Sequence, residues 1–508
     1  MMKNFILQFS NVWHKSDCIV VPIFENVKKE KMVEVLDKTL AGSLEWICEN
    51  ENFKGKKGQS IFVYTKNNLT KRVLLVGLGK EKEMTVRKFK QAIGSAVLNC
   101  QNHKYKNIAI YIPETASKKI EIKDLVYQVV VAAAVATYSY DNYKTDKDSK
   151  IAEIKKIELV VPVENKILSK LSITGTEALK VAKGVNLARH LGNIPPTIMT
   201  PQLLADKAKK LSQENKQIKV KVFSESELKK LKMNLLLAVG NGSEEETKFI
   251  IVEYKGGKEN DKPTVLIGKG ITFDSGGLSL KPGEYMMDMK FDMLGAASVL
   301  GTIKAVADLK IKKNVIGLIP ATENMPSGHA YRPDDIISAM NGKTVEIKNT
   351  DAEGRLILAD ALCYAHKYNP KEVIDLATLT GACMSALGLE RSGIFSDEEK
   401  MVEKIFQAAN NVGEQVWRLP LGEEYSEAIK SEVADIKNTG GVGGERYGTA
   451  STAAAFLQFF TKDKNGKAYP WLHIDLASAI YGNKGKPWIR VGANGFGVET
   501  LVEYLRNF

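Results

Sequence analysis

The sequence predicts an α/β protein of two domains, the second built on a mainly parallel sheet flanked by helices. Three observations predict it. Short apolar, β-branched runs alternate with longer stretches of helical periodicity along most of the chain. Several of those runs are apolar throughout, as strands covered on both faces are. The 508 residues also exceed what one ordinary hydrophobic core organises.

In the first third, IVVPIF (19–24), SIFVYT (60–65), RVLLVGLG (72–79) and NIAIYIP (107–113) read as strands. VRKFKQAIGSAVLNC (86–100) spaces its apolar residues as a helix does. LVYQVVVAAAVATYSY (125–140) is the longest apolar stretch. It falls short of the roughly 20 residues a membrane helix needs, and a buried helix is expected. KIELVVPV (156–163) closes a first domain expected over 1–165. TEALKVAKGVNLARHLGN (176–193) reads as a long helix that stops before Pro195-Pro196, inside a connecting segment 166–195. The second domain is expected over 196–508. There KFIIVEYKG (248–256), TVLIGKGITF (264–273), NVIGLIPATEN (314–324) and VIDLATLTG (373–381) read as buried strands. LGAASVLGTIKAVADL (294–309) and GRLILADALCYAHKYN (354–369) read as helices.

Composition narrows the class. Hydrophobic residues are 44% and charged residues 26%, which suits a globular chain rather than a disordered one. The N-terminus breaks its apolar residues early with polar ones, so no secretory signal is expected. Cys18, Cys48, Cys100, Cys363 and Cys383 are odd in number and form no CxxC, which speaks against a disulfide framework and a thiolate zinc site and fits a reducing cytoplasm. The net charge is +12, and residues 1–170 hold about 29 basic against 19 acidic side chains, roughly +10 of it. A solvated lysine-rich face accounts for this; nucleic-acid binding is the alternative, without a zinc-finger or RRM-type motif behind it.

Chemistry is expected where strands of an open α/β sheet end. Two segments there are unusually polar: GKGITFDSGGLSLKPGEYMMDMKFDM (268–293) and NTDAEGRL (349–356). They carry Asp274, Asp292, Asp351 and Glu353. Four clustered carboxylates raise one another's pKa, and two divalent cations would balance them. Oxygen ligands suit Mg²⁺, Mn²⁺ or Zn²⁺. Taken singly, Asp351 reads as a helix N-cap and Asp292 as a surface or salt-bridged acid.

NTDAEGRL resembles the signature octapeptide of the leucyl aminopeptidase family of cocatalytic metallopeptidases. GKGITFDSGGLSLKPG followed by MKFDM resembles that family's first metal-binding stretch. ENMPSGHAYRPDDI (323–336) and ADIKNTGGVGGERYGTASTAAAFL (434–457) match further family blocks. The resemblance implies that Lys269, Asp274, Asp292 and Glu353 hold one ion and Asp274, Asp351 and Glu353 the other. The ions implied are Mn²⁺ or Zn²⁺, with Mg²⁺ as an alternative. Lys269 could ligate only as the neutral amine, since an ammonium has no lone pair; an ordinary ion pair is the competing reading. Lys281 and Arg355 would be catalytic. Lys281 would stabilise the oxyanion, and Arg355, too basic to act as a base, would hold a proton-shuttling bicarbonate. Met289, Thr378, Gly381, Ala477 and Ile480 would line the first specificity pocket, and all but Gly381 could equally be core. The implied function is removal of N-terminal residues from peptides, leucine preferred but broadly, by a cytoplasmic homohexamer. A narrower cysteinylglycine dipeptidase, or an added DNA-binding role, remains open.

Two details depart from the family pattern: Ala477-Ser478 where Ala-Gly is expected, and Asn494 where threonine is common. Other chemistries lack their motifs, with no HExxH and no GxSxG in the chain. His473 in WLHIDLAS reads as a core histidine, and Cys363 and Cys383 as packing residues.

Overall fold

The computed structural model describes residues 5–25, 29–146, 150–463, 465–477 and 485–508, and for 480–481 the backbone alone. It falls into two compact units: Met1–Asn186 with Asn410–Gly413 and Lys484–Val491, and Leu187–Ala409 with Glu414–Asn483 and Gly492–Phe508. The division lies within the helix Asn165–Asn193, which begins eleven residues before the stretch that sequence periodicity marks as helical.

The first unit holds a six-stranded sheet of β1 (Ile6–Ser10), β2 (Cys18–Phe24), β3 (Ser60–Tyr64), β4 (Arg72–Gly79), β5 (Asn107–Tyr111) and β6 (Lys156–Val160), in the order β1-β6-β5-β2-β4-β3. All neighbours are parallel except β3, which is antiparallel to β4. Side chains alternate across the sheet. Cys18 and Val20 join the core under the helices Val86–Asn102 and Ile122–Ala136. Ile19 and Val21 join the one under Lys31–Thr39 and Ser43–Asn50. Both faces are therefore buried, which is why these strands read as unbroken apolar runs. The edge strand β1, half exposed, and the two short helices after β2 carry too little periodicity to be read from sequence. Thr85 starts the helix Val86–Asn102 by accepting the Lys88 N–H at 3.2 Å.

The second unit contains β7 (Ile218–Phe223), β8 (Lys248–Lys255), β9 (Thr264–Gly268), β10 (Gly270–Asp274), β11 (Asn314–Asn324), β12 (Ile336–Ser338), β13 (Thr344–Glu346), β14 (Glu372–Ala377), β15 (Ser392–Phe395), β16 (Val416–Arg418), β17 (Ile436–Lys437) and β18 (Trp471–Asp475). The main sheet runs β16-β15-β18-β14-β9-β11-β8-β7, with β10 also on β11. Its centre, β18-β14-β9-β11, is parallel, while β8, β7 and β15 run antiparallel to their inner neighbours. The strands β12, β13 and β17 form a small separate sheet. Helix Leu294–Leu309 packs on β9 and β14 from one face, and Gly354–Ala365 on β9 and β11 from the other. Both helices are buried nearly all round, as a core helix between layers is. Among the described residues no helix is long and apolar enough to cross a membrane.

His473 is a fully buried core histidine, as its apolar context predicts. Its Nδ1 lies 2.5 Å from Asp375 Oδ1, and Trp471 Nε1 donates to Asp375 Oδ2 at 2.6 Å. Burial works to lower the His473 pKa, but Asp375 overrides it and holds the imidazolium above its ordinary range. The sign follows from linkage. The native pKa exceeds the unfolded one, so this stabilisation is full below the unfolded value near 6.5 and is lost as pH rises through the native value. Asp375→Asn should therefore destabilise by about 3–5 kcal/mol, as breaking a buried pair does. The deficit in thermal melts should be larger at pH 6 than at pH 9; equal deficits would show that the pair carries no charge.

Candidate metal centre

The central parallel strands end on one side of the sheet, and the polar segments gather there, as open α/β sheets dictate. The apolar run 264–273 is not one strand. β9 stops at Gly268 and β10 starts at Gly270, with Lys269 between them. The Lys269 N–H donates to Leu376 O at 3.0 Å and its carbonyl accepts from Ala296 N at 2.9 Å. Its backbone is thus fastened to β14 and to the helix Leu294–Leu309, while its side chain turns into the site.

All five expected ligand residues meet there. Lys269 Nζ lies 2.8 Å from Asp292 Oδ2 and 2.8 Å from Glu353 Oε1, and donates to Thr378 O at 3.0 Å. Lys281 Nζ lies 3.0 Å from Asp274 Oδ2 and 2.5 Å from Asp351 Oδ1. Asp274, Asp351 and Glu353 each bring a carboxylate oxygen within 4.8 Å of the others, the one such acid group among the described residues. Lys269, Asp274, Asp292 and Glu353 are all buried. Two glycine features make room. Gly276 and Gly277, at φ +88° and +65°, turn the chain back under Asp351 and Asn324; a Cβ on Gly277 would sit 2.8 Å from Asn324 Oδ1. A Cβ on Gly354 would lie 2.6 Å from Lys269 Nζ.

Burial and mutual repulsion push Asp274, Asp292 and Asp351 above the usual carboxylate range, against the pull of the lysines. Burial favours neutral Lys269 and Lys281, but the surrounding acids win and hold both ammoniums above their ordinary range. The acids rise chiefly through burial and the lysines through the acids around them, and four carboxylates around two ammoniums leave the cluster net negative. The donor set, mostly hard oxygen, and that net charge both fit divalent cations.

Arg355 opens the helix Gly354–Ala365 and is buried. One terminal nitrogen donates to Asn438 O at 2.6 Å, while its buried Nε has no partner. Burial pulls its pKa down to about 10 despite Glu353 and Asp475, so it stays cationic at neutral pH. A buried guanidinium with an unused donor fits a small anion.

The expected pocket residues are less uniform. Thr378 follows β14 and belongs to the acid cluster itself, its Oγ1 donating to Asp292 Oδ1 at 2.7 Å. Met289 is half-buried in the turn just before Asp292. Gly381 is exposed at the start of the helix Gly381–Leu387, with open space where a Cβ would project. Ala477 is buried two residues past the end of β18. Ile480 lies in a two-residue strand, and its side chain falls outside the described residues, as does all of Ser478. Asn494 closes a local turn by accepting the Phe496 N–H at 2.9 Å.

Sequence reasoning missed the neutral residues that hold the acids. Asn438 accepts from the backbone of Lys348 and Asn349 and donates to Asn349 O at 2.7 Å, pinning the NTDAEGRL segment. Asn324, Tyr331 and Thr350 act likewise. All four lie inside blocks singled out by resemblance, but a buried amide or hydroxyl leaves no charge or periodicity to mark it.

Comparison with known proteins gives the family. The catalytic-domain model of the cytosol aminopeptidase family matches residues 186–502, and the family's N-terminal-domain model matches 20–147. The chain belongs to the cytosol aminopeptidase family. It is therefore an aminopeptidase, a hydrolase of peptides. A probable cytosol aminopeptidase from Alkalilimnicola ehrlichii is 40% identical over 496 residues, covering 96% of each chain. One from Dechloromonas aromatica is 40% identical over 492 residues, covering 97% of this chain and 96% of the relative. A tomato leucine aminopeptidase mutant superposes with a TM-score of 0.88 at 32% identity, over all of this chain and 97% of that one. A bottromycin maturation enzyme in complex with Mn gives 0.83 at 29% identity, over 97% and 99% of the two chains. Membership in this family makes the activity metal-dependent.

Proposed function

We propose that this cytosol aminopeptidase family member is a two-metal enzyme that releases N-terminal residues, leucine foremost, from peptides. The observation that carries the reading is the meeting of Asp274 and Asp292 with Asp351 and Glu353, from segments about 60 residues or more apart, around two lysines. Asp274, Asp292 and Glu353 would hold one ion together with Lys269, whose amine could join only after giving up its proton to the charge of the incoming ions, and Asp274, Asp351 and Glu353 would hold the other. The Mn complex of a 29% identical neighbour favours Mn²⁺ as the first ion to try, with Zn²⁺ next. Bound divalent ions supply Lewis acidity, polarising the scissile carbonyl and making a water acidic enough to attack at neutral pH.

The chain's own residues do the rest. Lys281 lies beside Asp274 and Asp351, where its ammonium would stand against the oxyanion that develops as the carbonyl is attacked. Arg355, cationic and with an unused Nε, would hold a bicarbonate, and the chemistry that anion would supply is proton transfer. Met289, Thr378, Gly381, Ala477 and Ile480 would receive the first side chain. Residues 196–508 would carry the chemistry, 1–165 form the N-terminal domain and 166–195 join them, in a cytoplasmic hexamer.

Treatment with a chelator should abolish hydrolysis of leucine p-nitroanilide, and Mn²⁺ or Zn²⁺ should restore it. A panel of dipeptides in the same assay separates a broad leucine-preferring enzyme from a cysteinylglycine dipeptidase. Full activity in the chelated enzyme would refute the metal reading.

A further inference from the structure

We propose that Asn324 and Thr350 form a positioning clasp that holds the two acidic segments in the mutual placement the metal pair requires. The inference rests on the metal-centre reading above and goes beyond it, since neither residue is a ligand. Asn324 is the last residue of β11 and pairs in register with Asp274 at the end of β10. Both Asn324 and Thr350 are fully buried. Asn324 Nδ2 donates to Asp274 Oδ1 at 2.9 Å and to Thr350 O at 3.0 Å. One amide group therefore ties the first acidic segment to the second.

Thr350 closes the other half of the clasp. Its Oγ1 donates to Gly276 O at 2.7 Å and accepts from Ser279 N at 2.7 Å. Its N–H donates to Ser279 Oγ at 3.1 Å, and Tyr331 OH reaches its carbonyl at 2.7 Å. The loop between Asp274 and Lys281 is thus stitched to the residue that precedes Asp351.

The orientation of the amide is fixed by its surroundings. Turned over, Asn324 would point its oxygen at two acceptors, Asp274 Oδ1 and Thr350 O, and both bonds would be lost. In the orientation observed, Oδ1 is buried without a partner beside Gly277. A buried polar atom left unpaired is unfavourable, so the two bonds on the other side outweigh it. The consequence falls on Asp274. Its Oδ1 accepts from Gly276 N and from Asn324 Nδ2, both at 2.9 Å. Its Oδ2 is left as the oxygen that faces the cation, in this structure the Lys281 ammonium at 3.0 Å. A carboxylate that shares itself between two ions must be aimed and held, and this amide does the aiming. Partners that orient metal ligands typically change affinity about 10–100-fold when removed.

The test uses the full-length protein stripped with chelator and titrated calorimetrically with Mn²⁺, alongside leucine p-nitroanilide hydrolysis at each Mn²⁺ level. Asn324→Ala should weaken Mn²⁺ binding about 10–100-fold. Its activity should climb back as Mn²⁺ is raised, which a purely structural loss would not allow. Thr350→Val should weaken binding in the same direction, while Thr350→Ser, which keeps the hydroxyl, should match the wild type. Should Asn324→Ala fail to fold, the two threonine variants decide. Wild-type binding with equal affinity in all variants overturns the clasp alone. A wild type that takes up no Mn²⁺ or Zn²⁺ overturns the metal centre, and the clasp with it.

Discussion

Glu353→Ala should leave a folded protein that neither holds its metal nor cleaves peptides. On the proposed two-metal reading Glu353 would serve both ions: it lies within ligand reach of Asp274 and Asp351 and 2.8 Å from Lys269 Nζ. It makes no side-chain cap on the helix Gly354–Ala365, so its removal costs that helix no hydrogen bond. The twelve residues of the helix are all buried and keep their packing. The loss of activity should exceed the ~10–100-fold that follows removal of a partner outside the ligand set. Metal content after dialysis against Mn²⁺, measured with the rate on leucine p-nitroanilide, gives both readouts. Wild-type metal content with activity within tenfold would remove Glu353 from the bridging position.

Lys281→Met should separate catalysis from metal binding. In this structure the ammonium sits on Asp274 Oδ2 and Asp351 Oδ1, two oxygens that an ion would need. Its removal takes a positive charge from beside the acids and with it the repulsion it would exert on a cation, so Mn²⁺ affinity should hold or rise. On its proposed role the oxyanion would lose a charged donor, and kcat should fall ~10²–10³-fold with KM moving far less. Metal lost together with activity would instead mean that Lys281 serves to hold the acids in place.

Much of this was legible from the chain, for physical reasons that differ by element. Strands buried on both faces announce themselves as apolar runs, and β2, β4, β5, β8 and β11 fall where those runs predict. The long helices Val86–Asn102 and Leu294–Leu309 do so through their apolar spacing. The break at Lys269 did not show, because a lysine buried at 3% exposure looks in sequence like a polar interruption of one strand. The short strands β12, β13 and β17 did not show either; at two or three residues each they have no period. The acids of the site stood out only as a set, since an aspartate before a helix is ordinarily a cap. Asp351 makes no such cap here: its carboxylate turns instead to Lys281, and its N–H is held by Asn349 Oδ1 at 2.8 Å. Thr378 reads in sequence as a pocket residue, and its bond to Asp292 has no sequence signal, since only the meeting of the chain after β14 with the 289–292 turn creates it.

The main chain at Lys269 ties the site to the body of its domain. Its N–H bonds β14 and its carbonyl bonds the helix Leu294–Leu309, so the amine moves only with two packed layers. A core substitution in either layer, remote from every acid, should therefore reach the chemistry through the backbone of a single residue.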